Sequence, residues 1–273
     1  MRIISRIAAT AMAITIAFAF MPFPGTANAA SKKSVYVVSS TYFDFHSQAF
    51  TKKSGGKVKY NKKGLITKYI GAYSEFRLKY NKKYKVKQLK TSVFAPGIPS
   101  SVKKYTYKNG KMIKTVETSK ESTVTTKYTY NGKKIIKAIE TIVPKESSSF
   151  KTENKYTYKK KHVSKVRSTD KYGTVIAVFS FDKKGNVIKI TDTLDGKSND
   201  MTTNVITYNN HGKPKLIKSE YNYEGLGKLY VTTSKFTFKK IKVPAKYYNR
   251  IKEQQWKLIN CSDGNDDGVS FAW

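Results

Sequence analysis

The sequence predicts an all-β fold: an antiparallel meander of repeated β-hairpins, curling into a barrel-like or half-barrel sheet or packing as two sheets, with a short C-terminal helix. Three observations predict it. Aromatic-x-aromatic triplets begin at Tyr105, Tyr128, Tyr156, Phe179 and Phe236, with Ile206-Thr207-Tyr208 as a variant. Turn residues follow, as in Asn109-Gly110, Asn131-Gly132, Lys184-Gly185 and His211-Gly212. β-Branched return runs such as "MIKTVET", "IIKAIET" and "VIKITDT" complete each unit.

The elements follow in chain order. Arg2 and Arg6, the apolar run "IAATAMAITIAFAF" and the small residues Ala27 and Ala29 read as a signal peptide over 1–29, cleaved after Ala29. "SVYVVSSTYFDF" (34–45) reads as an opening strand, and 58–70 and 78–90 as two hairpins. "SVFAPGIPS" (92–100) is a Pro/Gly loop that either separates two sheets or is a longer turn within one. The double-aromatic hairpins then run to about residue 243, and about twelve to fourteen strands are expected in all. "PAKYYNRIKEQQWKLIN" (244–260) reads as a helix, starting at a proline, with Tyr248, Ile251, Gln255 and Leu258 near helical spacing. The division is therefore 1–29 signal peptide, 30–243 β-hairpin repeat domain, and 244–273 short helix and acidic tail.

Each triplet alternates its aromatics with a small hydroxyl residue, so both rings share one face of the strand. That face reads as the packed core. In the return strands Lys114, Lys137, Lys165, Lys189 and Lys218 align in one column. Ile113, Ile136, Ser164, Ile188 and Ile217 precede them; Thr115, Ala138, Val166, Ile190 and Ser219 follow. The flanking residues are expected on the apolar face and the lysines on the opposite one.

"FSFDKKGNVIKITD" (179–192) resembles the YD-type β-hairpin repeats of bacterial secreted and surface proteins, and the likeness extends over roughly 58–240. It implies repeated hairpins on an extracellular protein and carries over no catalytic residue. Only Asp182 fills the aspartate position of the motif, and lysine replaces most of its other polar residues.

The chain of 273 residues has a formal net charge of +35, nearly all of it from lysine. After the leader the only arginines are Arg77, Arg167 and Arg250. Lysine supplies a field with little geometric selectivity, so no specific nucleic-acid recognition is expected. Cys261 is the single cysteine, which excludes an internal disulfide. His46, His162 and His211 lack metal-ligand spacing, and no nucleophile-elbow, zinc-protease or phosphate-loop motif is present. Glu117 and Glu140 take equivalent repeat positions, which reads as charge pairing on a sheet face rather than an acid/base pair. In the tail, Asp263, Asn265 and Asp267 precede Gly268 like the opening of a calcium loop, but no glutamate completes it. These three are the only metal candidates; no metal is assigned and no cofactor is expected.

The expected function is that of a secreted, non-enzymatic binding or structural protein of the bacterial surface. Its partners would be anionic cell-wall or surface polymers, held by Lys114, Lys137, Lys165, Lys189 and Lys218. Contact with a membrane surface stays open, as does the oligomeric state. The alternatives are an envelope-associated enzyme with an unrecognised site and a membrane-active secreted effector.

Overall fold

Period-two alternation builds one continuous wall. The computed structural model describes residues 31–47, 51–72, 74–94, 99–159, 162–223 and 227–260. The first eight strands are β1 (Lys32–Ser47), β2 (Thr51–Tyr60), β3 (Ile66–Ile70), β4 (Ser74–Tyr80), β5 (Val86–Val93), β6 (Ser101–Lys108), β7 (Lys111–Ser119) and β8 (Ser122–Asn131). The other eight are β9 (Lys134–Pro144), β10 (Phe150–Lys159), β11 (His162–Asp170), β12 (Gly173–Phe181), β13 (Val187–Leu194), β14 (Lys197–Tyr208), β15 (Pro214–Tyr223) and β16 (Gly227–Pro244). Among the described residues a single helix, α1 (Ala245–Asn260), follows. Each strand pairs antiparallel with its sequence neighbours, and β1 pairs with β16, so the sheet closes as a sixteen-stranded barrel. Counting repeats falls short of sixteen because the strands before Ser101 lack the double-aromatic triplet. The Pro/Gly stretch does not divide two sheets, since β5 and β6 pair across it, from Gln88 opposite Lys104 to Thr91 opposite Ser101.

The first aromatic of each triplet points inward and is buried: Tyr105, Tyr128, Tyr156, Phe179 and Phe236. They join one contiguous apolar cluster that also takes in Leu258 and Ile259 of α1. The core expected from the alternation is therefore the barrel interior.

The register carries a correction. In seven hairpins the pairing slips at the same place, next to the last aromatic of the first strand. Tyr107 faces Met112 but Thr106 faces Lys114; Tyr130 faces Ile135 but Thr129 faces Lys137. One extra residue is thus inserted, a β-bulge that strengthens twist and bends the strand. Ile113, Ile136, Ser164 and Ile188 are those extra residues, not members of the inward face, and Ile113 and Ile136 are exposed. The buried inward positions belong to Met112, Ile135, Val163 and Val187, one residue earlier. The same bulges receive the next tyrosine: Tyr107 OH donates to Val86 O (2.9 Å) and Tyr130 OH to Met112 O (2.7 Å).

The turns within these seven hairpins gather at one end of the barrel, and α1 crosses that mouth. Asn61, Asn81, Asp182 and Asn209 shape four of these turns, each accepting backbone N–H bonds from two and four residues on. Two adjacent glutamines anchor the helix at bulged sites. Val38 N–H, beside the β1 irregularity, donates to Gln255 Oε1 at 2.7 Å; Gln255 Nε2 donates to Tyr60 OH, which donates to Val38 O at 2.6 Å. Gln254, Tyr80 and Ile66 repeat the same ring, with Ile66 N–H donating to Gln254 Oε1 at 3.1 Å. Arg250 donates to the carbonyls of Lys83 and Tyr84, and Trp256 Nε1 to Gly185 O at 2.9 Å. The inward side of α1 is Tyr247, Ile251, Gln254, Gln255, Leu258 and Ile259; Tyr248, expected there from spacing, is only half-buried.

Gln255→Leu removes the acceptor of a buried N–H and is expected to cost about 1–3 kcal/mol in chemical denaturation. Gly64 has φ +82, and a Cβ there would meet Val243 at 2.5 Å and Ile251 at 2.9 Å, whereas Gly132 (φ +56) has nothing within 4 Å. Gly64→Ala is therefore expected to destabilise by roughly 2–4 kcal/mol and Gly132→Ala by about 1 kcal/mol, measured the same way.

Candidate functional site

Outward positions form the first candidate surface. Lys114, Lys137, Lys165 and Lys189 each stand opposite the middle residue of the preceding triplet, Thr106, Thr129, Thr157 and Ser180. They form a true column on the outer wall. Lys218 is also outward but lies two residues further along: Leu216 takes the position opposite Thr207, and Lys218 faces Val205. The alignment missed this because the Ile-Lys pair on which it rests falls two residues later in β15, although the turn before β15 is as long as the turn before β13. Lys68, opposite Lys59, is the member of the column that sequence alignment overlooked.

Cations neighbour one another across the wall. Lys59, Lys68, Arg77 and Lys90 stand directly opposite in one row over β2–β5, and Lys137, Lys155 and Arg167 over β9–β11. Directly opposed like charges repel. Few acids intervene: Glu75 pairs with Lys68 and Arg77, Glu153 with Lys137 and Lys155, and Glu220 with Lys218 at 3.1 Å. Lys114, Lys165 and Lys189 have no ion-pair partner among the described residues.

A second cluster lies inside the lumen and was missed at the level of sequence. Lys103 stands two residues before Tyr105, so alternation turns it inward with the rings. Its ammonium meets Glu117 at 2.9 Å across β6 and β7, and Ser101 Oγ donates to the same carboxylate at 2.7 Å. Glu117 thus pairs as expected, though on the inner face. Glu140 does not. It is 4 % exposed, and Thr126 Oγ1 approaches it at 3.5 Å. Burial opposes the charge on Lys103, but Glu117, Tyr128 and Glu140 outweigh this and hold its pKa above the ordinary value. Burial likewise opposes ionisation of Glu117, yet Lys103 and Ser101 bring it below the ordinary carboxylate value. Glu140 is pushed up by burial, and the charge of Glu117 adds to this; Lys103 and Thr126 offset only part.

Among the described residues no group of three His, Cys, Asp or Glu is placed to hold a metal. Cys261 and the candidates Asp263, Asn265 and Asp267 lie outside the described residues, as does the signal-peptide segment. Among the described residues no helix is long and apolar enough to cross a membrane, a statement that does not bear on strands.

The fold and its two faces define a closed antiparallel β-barrel with an aromatic interior and a lysine-rich outer wall. No family model matches the chain, and no curated protein matches its sequence. Among solved structures it is similar to a porin-like protein from Bacteroides vulgatus, with 11 % identity, TM-score 0.50, and coverage of 74 % of this chain and 98 % of that one. A porin-like protein from Bacteroides uniformis shows 13 % identity, TM-score 0.49, and coverage of 74 % and 96 %. At such identities the likeness is one of fold.

The two lumen glutamates should respond oppositely to pH. The folded pKa of Glu140 lies above its unfolded value, so its ionised form weighs against the fold at neutral pH, and stability is recovered as pH falls through the folded pKa. Glu140→Gln is expected to raise stability at neutral pH by about 1 kcal/mol, an advantage that vanishes in acid. The folded pKa of Glu117 lies below its unfolded value, so its contribution is present above the unfolded pKa and lost as pH falls through the folded one. Glu117→Gln is expected to cost roughly 1–3 kcal/mol at neutral pH and little in acid. Melting temperatures from about pH 2 to about pH 8 check both signs.

Proposed function

We propose that this chain is a secreted, non-enzymatic, water-surrounded barrel of the bacterial envelope whose outer wall binds anionic wall or surface polymers. The observation that carries this reading is the outward row Lys59–Lys68–Arg77–Lys90 together with the column Lys114, Lys137, Lys165 and Lys189. Paired strands lie about 4.8 Å apart, less than the Debye length of about 8 Å at physiological salt, so the charges of the row act as one field, while the column lysines, on alternate strands about 10 Å apart, extend it around the wall. A polyanion that neutralises the field also gains counterion-release entropy.

The alternation argues against lipid around the wall. A lipid-facing barrel is apolar outside and polar inside, and each lysine at the bilayer midplane costs roughly 2–4 kcal/mol. Here lysines are outside and aromatics inside. "Porin-like" describes the Bacteroides proteins; what supports an envelope location for this chain is the leader expected at 1–29. Closure supports a role without disulfides, since a barrel leaves no strand edge to protect. The scarcity of arginine supports selectivity for charge density rather than for a particular polymer.

The test is sedimentation of purified residues 30–273 with bacterial cell walls, intact or stripped of anionic polymer, across a salt series. Retention is expected on intact walls at low salt, with loss on stripping or at high salt. Replacing Lys59, Lys68 and Lys90 together by Gln is expected to flatten the log–log salt slope by roughly one per charge removed. No retention on intact walls at low salt, or retention indifferent to salt, would reject the proposal.

A further inference from the structure

We infer that the lumen between β6 and β10 holds a binding site for a small organic cation, a primary ammonium group, centred on Glu140. The site is separate from the outer wall and does not depend on the function proposed for it.

Three positions stand in one inward row: Thr126, Glu140 and Thr152, on β8, β9 and β10. Glu140 touches Thr126 only at the outer limit of a hydrogen bond, 3.5 Å. The nearby Lys103 ammonium is engaged by Glu117. Glu140 is therefore a buried carboxylate with no cation in ion-pair reach among the described residues. Two other side chains, both on β10 beside Glu140, are left incomplete. Tyr156 OH and Thr152 Oγ1 have no hydrogen-bond partner, and their residues are 6 % and 4 % exposed. Buried polar atoms without partners are rare and point to something that fills the gap.

The chemistry of the gap selects its occupant. Water or a polyol would satisfy the hydroxyls but leave the carboxylate without a counter-charge. An anion would be repelled. A divalent metal has no group of three His, Cys, Asp or Glu among the described residues to hold it, and Glu117 is already held by Lys103 and Ser101. A primary ammonium supplies three N–H donors for Glu140, Thr152 and a phenol oxygen, and its positive charge is favoured beside tyrosine rings. Burial raises the pKa of Glu140, so the carboxyl favours its protonated form until a cation is bound beside it. Access comes from the end opposite α1, where Lys103 and Glu117 point inward yet keep side-chain exposures of 16 % and 29 %.

The test uses the whole mature chain with ethylammonium chloride as probe, sodium chloride at matched ionic strength as reference, and glucose as a second arm. Melting temperature and heat of binding are read together. Ethylammonium is expected to raise the melting temperature saturably above the sodium reference. Glu140→Gln should weaken its apparent affinity at least about tenfold. Tyr156→Phe, which removes only a hydroxyl, should weaken it several-fold and decides the matter if Glu140→Gln fails to fold. Lys114→Gln on the outer wall should leave it unchanged. A response no greater than that to sodium chloride, an undiminished response in the folded lumen variants, or a response to glucose alone would overturn the inference.

Discussion

The ladder between β1 and β16 is the interaction on which the rest of the structure depends. It runs from Lys32 opposite Pro244 to Ser47 opposite Tyr230. Every other pairing joins neighbours in sequence and closes a short loop. This one joins the two ends of the described chain, so its entropic cost is the largest of any pairing in the sheet. Its return is that the sheet has no edges, and the backbone groups of both end strands are paired. The helix also follows from it, because α1 leaves β16 directly and Ala245 N–H donates to Ser31 O at 2.9 Å. Closing the barrel and stopping its mouth are thus coupled.

Bulges connect the wall to that stopper. A regular ladder would leave no free backbone donor for a helix to bind. The slips at β1 and at the start of β3 release Val38 and Ile66, and Gln255 and Gln254 take them up through amides that reach both a donor and an acceptor. The same irregularity elsewhere feeds tyrosine hydroxyls from the next hairpin. This accounts for tyrosine rather than phenylalanine at Tyr107 and Tyr130: the ring fills the interior and its hydroxyl satisfies a bulge carbonyl.

The two faces place charge in opposite environments. Outside, lysines share water and screening, and their repulsion is spread over the wall. Inside, a charge is tolerated only when paired, as Lys103 is with Glu117. Glu140 departs from that rule, which is why it stands out among the residues of the lumen.

Alternation, turn residues and the final helical period were legible in the sequence because each depends on neighbours within a few residues. They determined that the chain is a hairpin meander, that the triplet aromatics form the core, that lysines line the opposite face, and that a helix follows near residue 244. The tertiary structure alone decided the rest. Whether the meander closes depends on pairing between segments some two hundred residues apart, which no local pattern encodes. The true inward positions depend on a bulge, and one inserted residue shifts Ile113 and Ile136 outward while bringing Met112 and Ile135 in. Lys218 stands outside the column because Leu216 holds the position opposite Thr207, which only the cross-strand register reveals. Lys103 was readable as inward from its spacing to Tyr105, but its pairing with Glu117, and the absence of such a partner for Glu140, follow only from the meeting of side chains across strands in three dimensions.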